Sequence, residues 1–314
     1  GTVYPLNDTF FPTIDPNNPY ELTEDERAVM NSLSASIINS ERLQTHIRYM
    51  FSHGALYKRI NGNLLFHGCI PMDENGDFLP VDIYGAKCAG RALMEHLDKQ
   101  IRASYFSPEK IKKYGKAGDL MWYLWLAKDS ALFDKEKMTT FERLFIDDKA
   151  SHKEPVRPYY KLINSKEPCE KILREFGLDP SHSKILNGHV PVKIKNGESP
   201  IKGGGLLYVI DGGISKAYQK QTGIAGYTFI FNSRFMALAE HKPYEPLKED
   251  GTQKFFSPSM KTVDTLKTRM LVIDTDEGAE LLRQAEAVKR LVEAYKTGEI
   301  KERPEGKYSA YKGK

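Results

Sequence analysis

The sequence predicts a mixed fold of the α/β (α+β) class, and three patterns point to it. Short apolar runs alternate with segments whose apolar residues recur at helical spacing. Asn-Gly and Gly-rich stretches separate the runs, as turns do. Two of the runs break off almost directly into histidine, at His67 and His189. Strand ends that feed loops are where layered α/β folds place their sites, because the strand is rigid and the loop is free to carry chemistry.

Taken in order, residues 1–22 are rich in Pro, Asn and Asp and read as an extended lead-in. Thr23 and Glu26 form a capping box, and Val29, Met30, Leu33 and Ile37 follow at helical spacing. A second helix fits Arg42–Phe51. Ala55–Ile60 and Asn63–Phe66 are apolar runs joined by Asn61-Gly62, a hairpin signal. Arg91–Tyr105 reads as a helix with Leu93, Leu97 and Ile101 inward. Residues 119–133 are apolar and hold both tryptophans, and Met138–Ile146 reads as a further helical piece. Residues 148–168 are polar and broken by proline. Pro168–Phe176 is a helix closed by Gly177. Lys184–Leu186 and Leu206–Ile210 are strands that run into Asn187-Gly188-His189 and Asp211-Gly212-Gly213. Ala225–Phe231 and Phe235–His241 are two more strands, and Lys242–Met260 reads as loop. A last helix spans about 276–295, with Leu281, Leu282, Ala285, Val288, Leu291, Val292 and Tyr295 on its apolar side, and ends at Gly298.

Composition narrows the class of molecule. At 314 residues, 40% hydrophobic and 28% charged, the chain can bury a sizeable core and is not a disordered polymer. No run approaches the ~18 apolar residues of a membrane helix. Cys69, Cys88 and Cys169 are odd in number and far apart, which excludes a disulfide framework and a cysteine-cluster zinc site and fits a reducing, cytoplasmic setting. Forty-six basic and 42 acidic residues are interleaved, so the surface is mixed rather than a nucleic-acid stripe. The chain starts Gly1-Thr2 without methionine, which reads as a piece cut from a longer protein.

Three features can carry chemistry. Neutral imidazoles at His67 and His189 suit Mn, Fe or Zn, although a histidine at a strand end is also a common hydrogen-bonded structural residue. The segment from Asp211 to Gln219 places a carboxylate, a glycine pair, a hydroxyl and Lys216 beyond a strand, which is compatible with phosphate binding but lacks P-loop spacing. Arg143, Lys149, His152, Lys153 and Arg157 lie within fifteen positions, and Lys193, Lys195 and Lys202 flank the His189 loop. Such cations suit substrate phosphates, or simply a solvated face.

The stretches NGNLLFHGCIPMDENG (61–76), KMTTFERLFIDDKASHKE (137–154) and KILNGHVPVKIKNGESPIKGGGLLYVIDGGISKAYQKQTGIAGYTFIFNS (184–233) closely resemble class III fructose-1,6-bisphosphatase, a bacterial gluconeogenic family on the calcineurin-like metallophosphoesterase fold. The resemblance runs over nearly all of 10–300. It implies the C-terminal part of a metallophosphoesterase β-sandwich flanked by helices, with an entry segment at 1–54, catalytic-domain residues at 55–245 and a C-terminal loop, helix and tail at 246–314. It also implies a dinuclear Mn2+ site that hydrolyses the 1-phosphate of fructose 1,6-bisphosphate. His67 resembles the metal-binding histidine of the HGG/HGC loop, and His189 that of the later GH motif. Arg143, Lys149, Lys202, Asp211 and Lys216 are then expected on the substrate side.

The departures from the pattern matter as much. The superfamily's Asp-x-His, Gly-Asp-x-x-Asp and Gly-Asn-His motifs do not occur. Gly118-Asp119 lacks the second Asp, and Gly62-Asn63 is followed by Leu64. Asp134 stands where related chains carry the Gly of an LFGK sequence. The expected partners are therefore fructose 1,6-bisphosphate and the chain's own N-terminal segment, with a homo-oligomer allowed and neither nucleic acid nor membrane. On this reading the isolated chain is inactive. The competing readings are a non-catalytic regulatory or assembly module derived from the same fold, and a phosphoesterase of different substrate.

Overall fold

The Asn61-Gly62 turn sets the geometry of the first sheet. Both residues have positive φ, +47° and +75°, the conformation that a two-residue hairpin turn with the right twist demands. The turn pairs β1 (Tyr57–Ile60) with β2 (Asn63–Phe66), Lys58 standing opposite Leu65. The computed structural model describes residues 2–108, 116–211, 215–224, 226–243, 250–251 and 258–301, without the side chains of 117 and 216–218.

β2 lies beside β5 (Ile185–Asn187), and β5 beside β7 (Leu207–Val209), both pairs parallel. The short β6 (Ile201–Lys202) closes the sheet antiparallel to β7, giving the order β1-β2-β5-β7-β6. Parallel neighbours need long crossovers. Between β2 and β5 the chain makes a hairpin, β3 (Val81–Ile83) with β4 (Ala86–Cys88), then the helices α3 (Gly90–Tyr105), α4 (Lys116–Leu126), α5 (Phe141–Phe145), α6 (Tyr159–Leu162) and α7 (Lys166–Glu175).

The core forms on one face of this sheet. Leu64, Phe66, Ile185, Leu207 and Val209 are buried there, together with Cys169, Ile172, Leu173 and Phe176 of α7 and its C-cap. The spacing of those four is i, i+3, i+4, i+7, one stripe of a helix. The Tyr159 and Phe66 rings lie 6.2 Å apart at a 60° tilt. In α3, Leu93 and Leu97 are buried as expected, while Ile101 is only half-buried.

The two leading helices, α1 (Glu24–Ile38) and α2 (Glu41–His53), form for local reasons. Thr23 and Glu26 cap α1 reciprocally at 3.3 and 2.9 Å, and the Ser40 hydroxyl caps α2. The apolar residues of α1, Val29, Met30, Leu33 and Ile37, are all more than half exposed.

The chain divides into two compact units, Gly1–Thr228 with Glu240–Ser259, and Phe229–Ala239 with Met260–Lys314. A three-stranded sheet is ordered β10 (Ser259–Thr265), β9 (Phe235–His241), β8 (Gly226–Phe231), and α9 (Asp276–Lys296) follows with Thr275 as its N-cap. Its apolar residues Leu281, Leu282, Val288, Leu291, Val292 and Tyr295 are 45–59% exposed. Among the described residues no helix is long and apolar enough to cross a membrane.

Several local expectations need correction. The 138–146 segment holds only the five-residue α5, since the Thr139 N–H and hydroxyl are both drawn into bonds with the Glu154 carboxylate. The polar stretch 148–168 contains α6, whose Tyr159 and Tyr160 are buried. The β3–β4 hairpin turns at Tyr84-Gly85 with φ of +56° and +85°, a turn that Tyr disguises in sequence. Strand β10 emerges at the end of the stretch read as loop, where Ser, Lys and Thr keep it mostly exposed. The glycine pair Gly212-Gly213 and the final residues from 302 onward lie outside the described residues.

Leu207 is fully buried on β7, an inner strand of the sheet. Leu207→Ala should cost about 2–5 kcal/mol. The urea midpoint should fall at unchanged slope; an unmoved midpoint would mean that this sheet is not the core.

Candidate functional site

Three parallel strands end side by side, so the residues just beyond them meet at one edge. His67 follows β2, Gly188-His189 follow β5, and Asp211 follows β7. This is the carboxyl edge, where ligands bind in parallel α/β sheets. The His67 and His189 rings lie 5.6 Å apart between centroids, edge to face at 81°. His67 is exposed and His189 half-buried.

The approach of the two loops depends on Gly188. A Cβ at this position would stand 2.8 Å from His67 Nδ1 and 3.6 Å from Asp211 Cβ, so only glycine lets the imidazole lie against the backbone. The Gly188 N–H donates to the His67 carbonyl at 3.1 Å. His189 itself has φ +68°. A non-glycine residue in that region is strained, and such strain concentrates at functional sites.

His189 carries the sharpest chemical signal. Its Nε2 is buried and has no hydrogen-bond partner. Burial lowers its pKa, and the neighbouring His67 and Lys135 push the same way, against Asp211. The ring is thereby biased toward neutral imidazole, the form that ligates metal. Phe133 stands 6.5 Å from it, edge to face. The orphaned Nε2 and the facing imidazole fit a metal ion as two ligands of a larger set. Among the described residues, no group of three or more His, Cys, Asp or Glu is placed to hold a metal.

A cavity of about 570 Å³ opens beside His67, lined also by Gly188, Asp211, Lys58, Leu65, Leu186 and Tyr227. On its other side His189 borders an apolar cavity of about 510 Å³ walled by Phe51, Met121, Trp125 and Phe133. The first cavity presents Lys58, His67 and Asp211 on its wall, whereas the lining of the second is more strongly apolar.

The structure brings His67, His189 and Asp211 to this edge and leaves other expected residues elsewhere. Arg143 donates to Thr139 Oγ1 at 2.7 Å and to the His152 carbonyl at 3.1 Å, bracing its own loop. Lys149 is exposed in a turn and lines neither cavity. The Lys202 ammonium donates to Asn164 Oδ1 at 3.0 Å, on the wall of a small cavity that also touches Asn187 and Gly188. Lys216 opens α8 (Lys216–Thr222), and its side chain is outside the description. Sequence reasoning missed Lys58, Asn187 and Tyr227. The hairpin register could have revealed Lys58, since it stands opposite Leu65 and faces the same way. Tyr227 presents a buried hydroxyl without a partner, and burial pushes its pKa up to about 12.

Asp134 does not face the histidines. It is 1% exposed, and its Oδ1 lies 3.6 Å from Arg157 Nε. Arg157 is shared with Asp129 at 2.5 Å and Glu136 at 2.9 Å. Burial therefore pushes the Asp134 carboxyl up to about 6, only partly offset by Arg157, and its Oδ2 has no hydrogen-bond partner. Its φ of +41° lies in the left-handed region that favours glycine.

Two outcomes test this geometry. Gly188→Ala should displace the His67 ring, read from its imidazole NMR shifts, while unfolding stays cooperative; an unmoved ring would refute the close approach. The Asp134 carboxyl is raised above its ordinary 3.8, so the native state binds the proton more tightly than the unfolded chain does. This group's contribution to stability accordingly rises as pH falls from about 7 through 6 toward 4. Asp134→Asn should raise the melting temperature at pH 7.5 and lose that advantage near pH 4.5. An equal gain at both values would refute the burial effect.

The family model described as Firmicute fructose-1,6-bisphosphatase matches residues 1–297. A Fructose-1,6-bisphosphatase class 3 from Fusobacterium nucleatum is 47% identical over 304 residues, covering 96% of this chain and 47% of the relative. Relatives of the same name from Clostridium botulinum and Clostridium tetani are 50% and 49% identical, covering 96% of this chain and 46% of each relative. No solved structure matches. The chain thus spans somewhat less than half the length of the curated relatives it matches. With the family model matched over residues 1–297 and relatives of 47–50% identity along 96% of its length, the chain belongs to the Firmicute, or class 3, fructose-1,6-bisphosphatase family.

Proposed function

We propose that this chain is the part of a cytoplasmic metal-dependent sugar bisphosphatase that supplies His67 and His189 to a dinuclear manganese site. The family match supports the substrate, fructose 1,6-bisphosphate, and hydrolysis of its 1-phosphate. The buried, partnerless Nε2 of His189, on a ring 5.6 Å from that of His67, carries the ligand assignment. When bound, such ions polarise phosphoryl oxygens and provide hydroxide at neutral pH. The chain's own residues orient the reaction. Gly188 lets the two imidazoles converge, Asp211 sets the charge at the sheet edge, and Lys58 offers a cation to a phosphate in the larger cavity.

The remaining ligands belong to the part of the family chain that this one does not span. The half-exposed Leu65, Leu186 and Ile210 favour the same view. Parallel strands are ordinarily covered on both faces, and these side chains await a second layer, as the two sheets of a sandwich would provide.

The test is phosphate release from fructose 1,6-bisphosphate with manganese. The chain alone should be inactive, and joining it to the rest of a family chain should produce activity. His67→Ala or His189→Ala in the joined protein should then reduce kcat by about 100-fold or more, because Lewis-acid stabilisation is worth several kcal/mol. No activity after joining would favour a non-catalytic module. Full activity of the histidine variants would remove them as ligands.

A further inference from the structure

Asn187, the last residue of β5, is 2% exposed. Its side-chain amide nitrogen donates to three successive carbonyls of the neighbouring loop, Phe66 at 3.2 Å, His67 at 3.2 Å and Gly68 at 2.8 Å. These carbonyls bracket His67, and His189 lies two residues beyond Asn187, just past the end of β5. One buried side chain therefore ties the backbone that carries one imidazole to the backbone that carries the other. Among the described residues, the main-chain bond between the same loops is the Gly188 N–H to the His67 carbonyl.

We infer that Asn187 is a positioning residue that fixes the spacing of His67 and His189. This inference rests on the reading of the two histidines as metal ligands. Its physical basis is the donor inventory. An amide offers two N–H groups, whereas an apolar residue of similar size offers none and leaves the buried carbonyls short of a donor. The β2–β5 ladder aligns the strands up to Leu65 and Leu186, and beyond it the loops need another tie. A metal pair is sensitive to such a tie, since groups that orient ligands typically matter by about 10–100-fold in affinity.

The test uses Ni2+ alone as probe, since it binds imidazole more strongly than Mn2+ does, and hydrogen exchange at the Gly188 amide. Asn187→Leu, and Asn187→Ser as a gentler variant that keeps one donor, should weaken Ni2+ binding by about 10–100-fold and speed exchange at Gly188. A folded variant that keeps both its Ni2+ affinity and its Gly188 protection overturns the inference. His67→Ala separates the two claims. If it leaves Ni2+ binding unchanged, the ligand reading fails, and Gly188 protection alone decides the role of Asn187. If neither variant folds, the Asn187 side-chain protons of the unaltered chain decide it. Exchange as fast as that of an exposed asparagine overturns the inference, and slow exchange supports it.

Discussion

The parallel pairing of β2, β5 and β7 is the constraint on which everything else depends. Parallel strands all end at the same edge, so residues 67, 189 and 211, far apart in sequence, become neighbours without any loop having to reach across the molecule. Antiparallel pairing would send alternate strand ends to opposite edges and separate the histidines. The cost of the parallel arrangement is the crossover between β2 and β5. That crossover supplies α7, which covers the core face of the sheet, and the 131–135 segment, which approaches the site from the side.

The approach of that segment shows how much of the site is built by structure rather than by reactive groups. The Cys69 N–H donates to the Ala131 carbonyl at 2.9 Å, and the Cys69 thiol to that of Ser130 at 3.4 Å. These bonds hold the chain after His67 against the turn that brings Phe133 to His189. Lys135 completes the connection. Its ammonium lies 5.4 Å from the Phe133 centroid and pairs with Glu154 at 3.1 Å. Burial works against the Glu154 carboxylate, but bonds from Thr139 and Lys135 outweigh it and hold its pKa down to about 2. Arg143 serves the same network. The basic cluster read as a candidate phosphate site is thus largely spent on shaping a loop, because partly buried carboxylates there require cations as partners.

The exposed apolar faces have a different meaning. Local capping and periodicity are enough to make α1 and α9 helical, and an apolar stripe normally marks what a helix packs against. In both helices that stripe is left open to solvent. The same holds for Trp122 and Trp125, at 60% and 57% exposure. The curated relatives that the chain matches are about twice its length.

The sequence by itself determined the local elements and the two histidines. Asn61-Gly62 specified a hairpin, Thr23 and Glu26 a helix start, and the stripe from Cys169 to Phe176 a packed helix. These features depend on neighbours within a few residues, so they are legible without the fold. The stretches around His67 and His189 also identified the family before any geometry was known. Tertiary structure alone decided which residues share the edge. It placed Asp211 and Lys58 beside the histidines, committed Arg143 to Thr139 and Glu154, turned Asp134 toward Arg157, and set Asn187 beneath the His67 loop. The placements at the sheet edge depend on strand order and register, above all on the pairing of β2 with β5 across more than a hundred residues, and the ion pairs depend on how loops fold back; neither leaves a periodic trace in the chain.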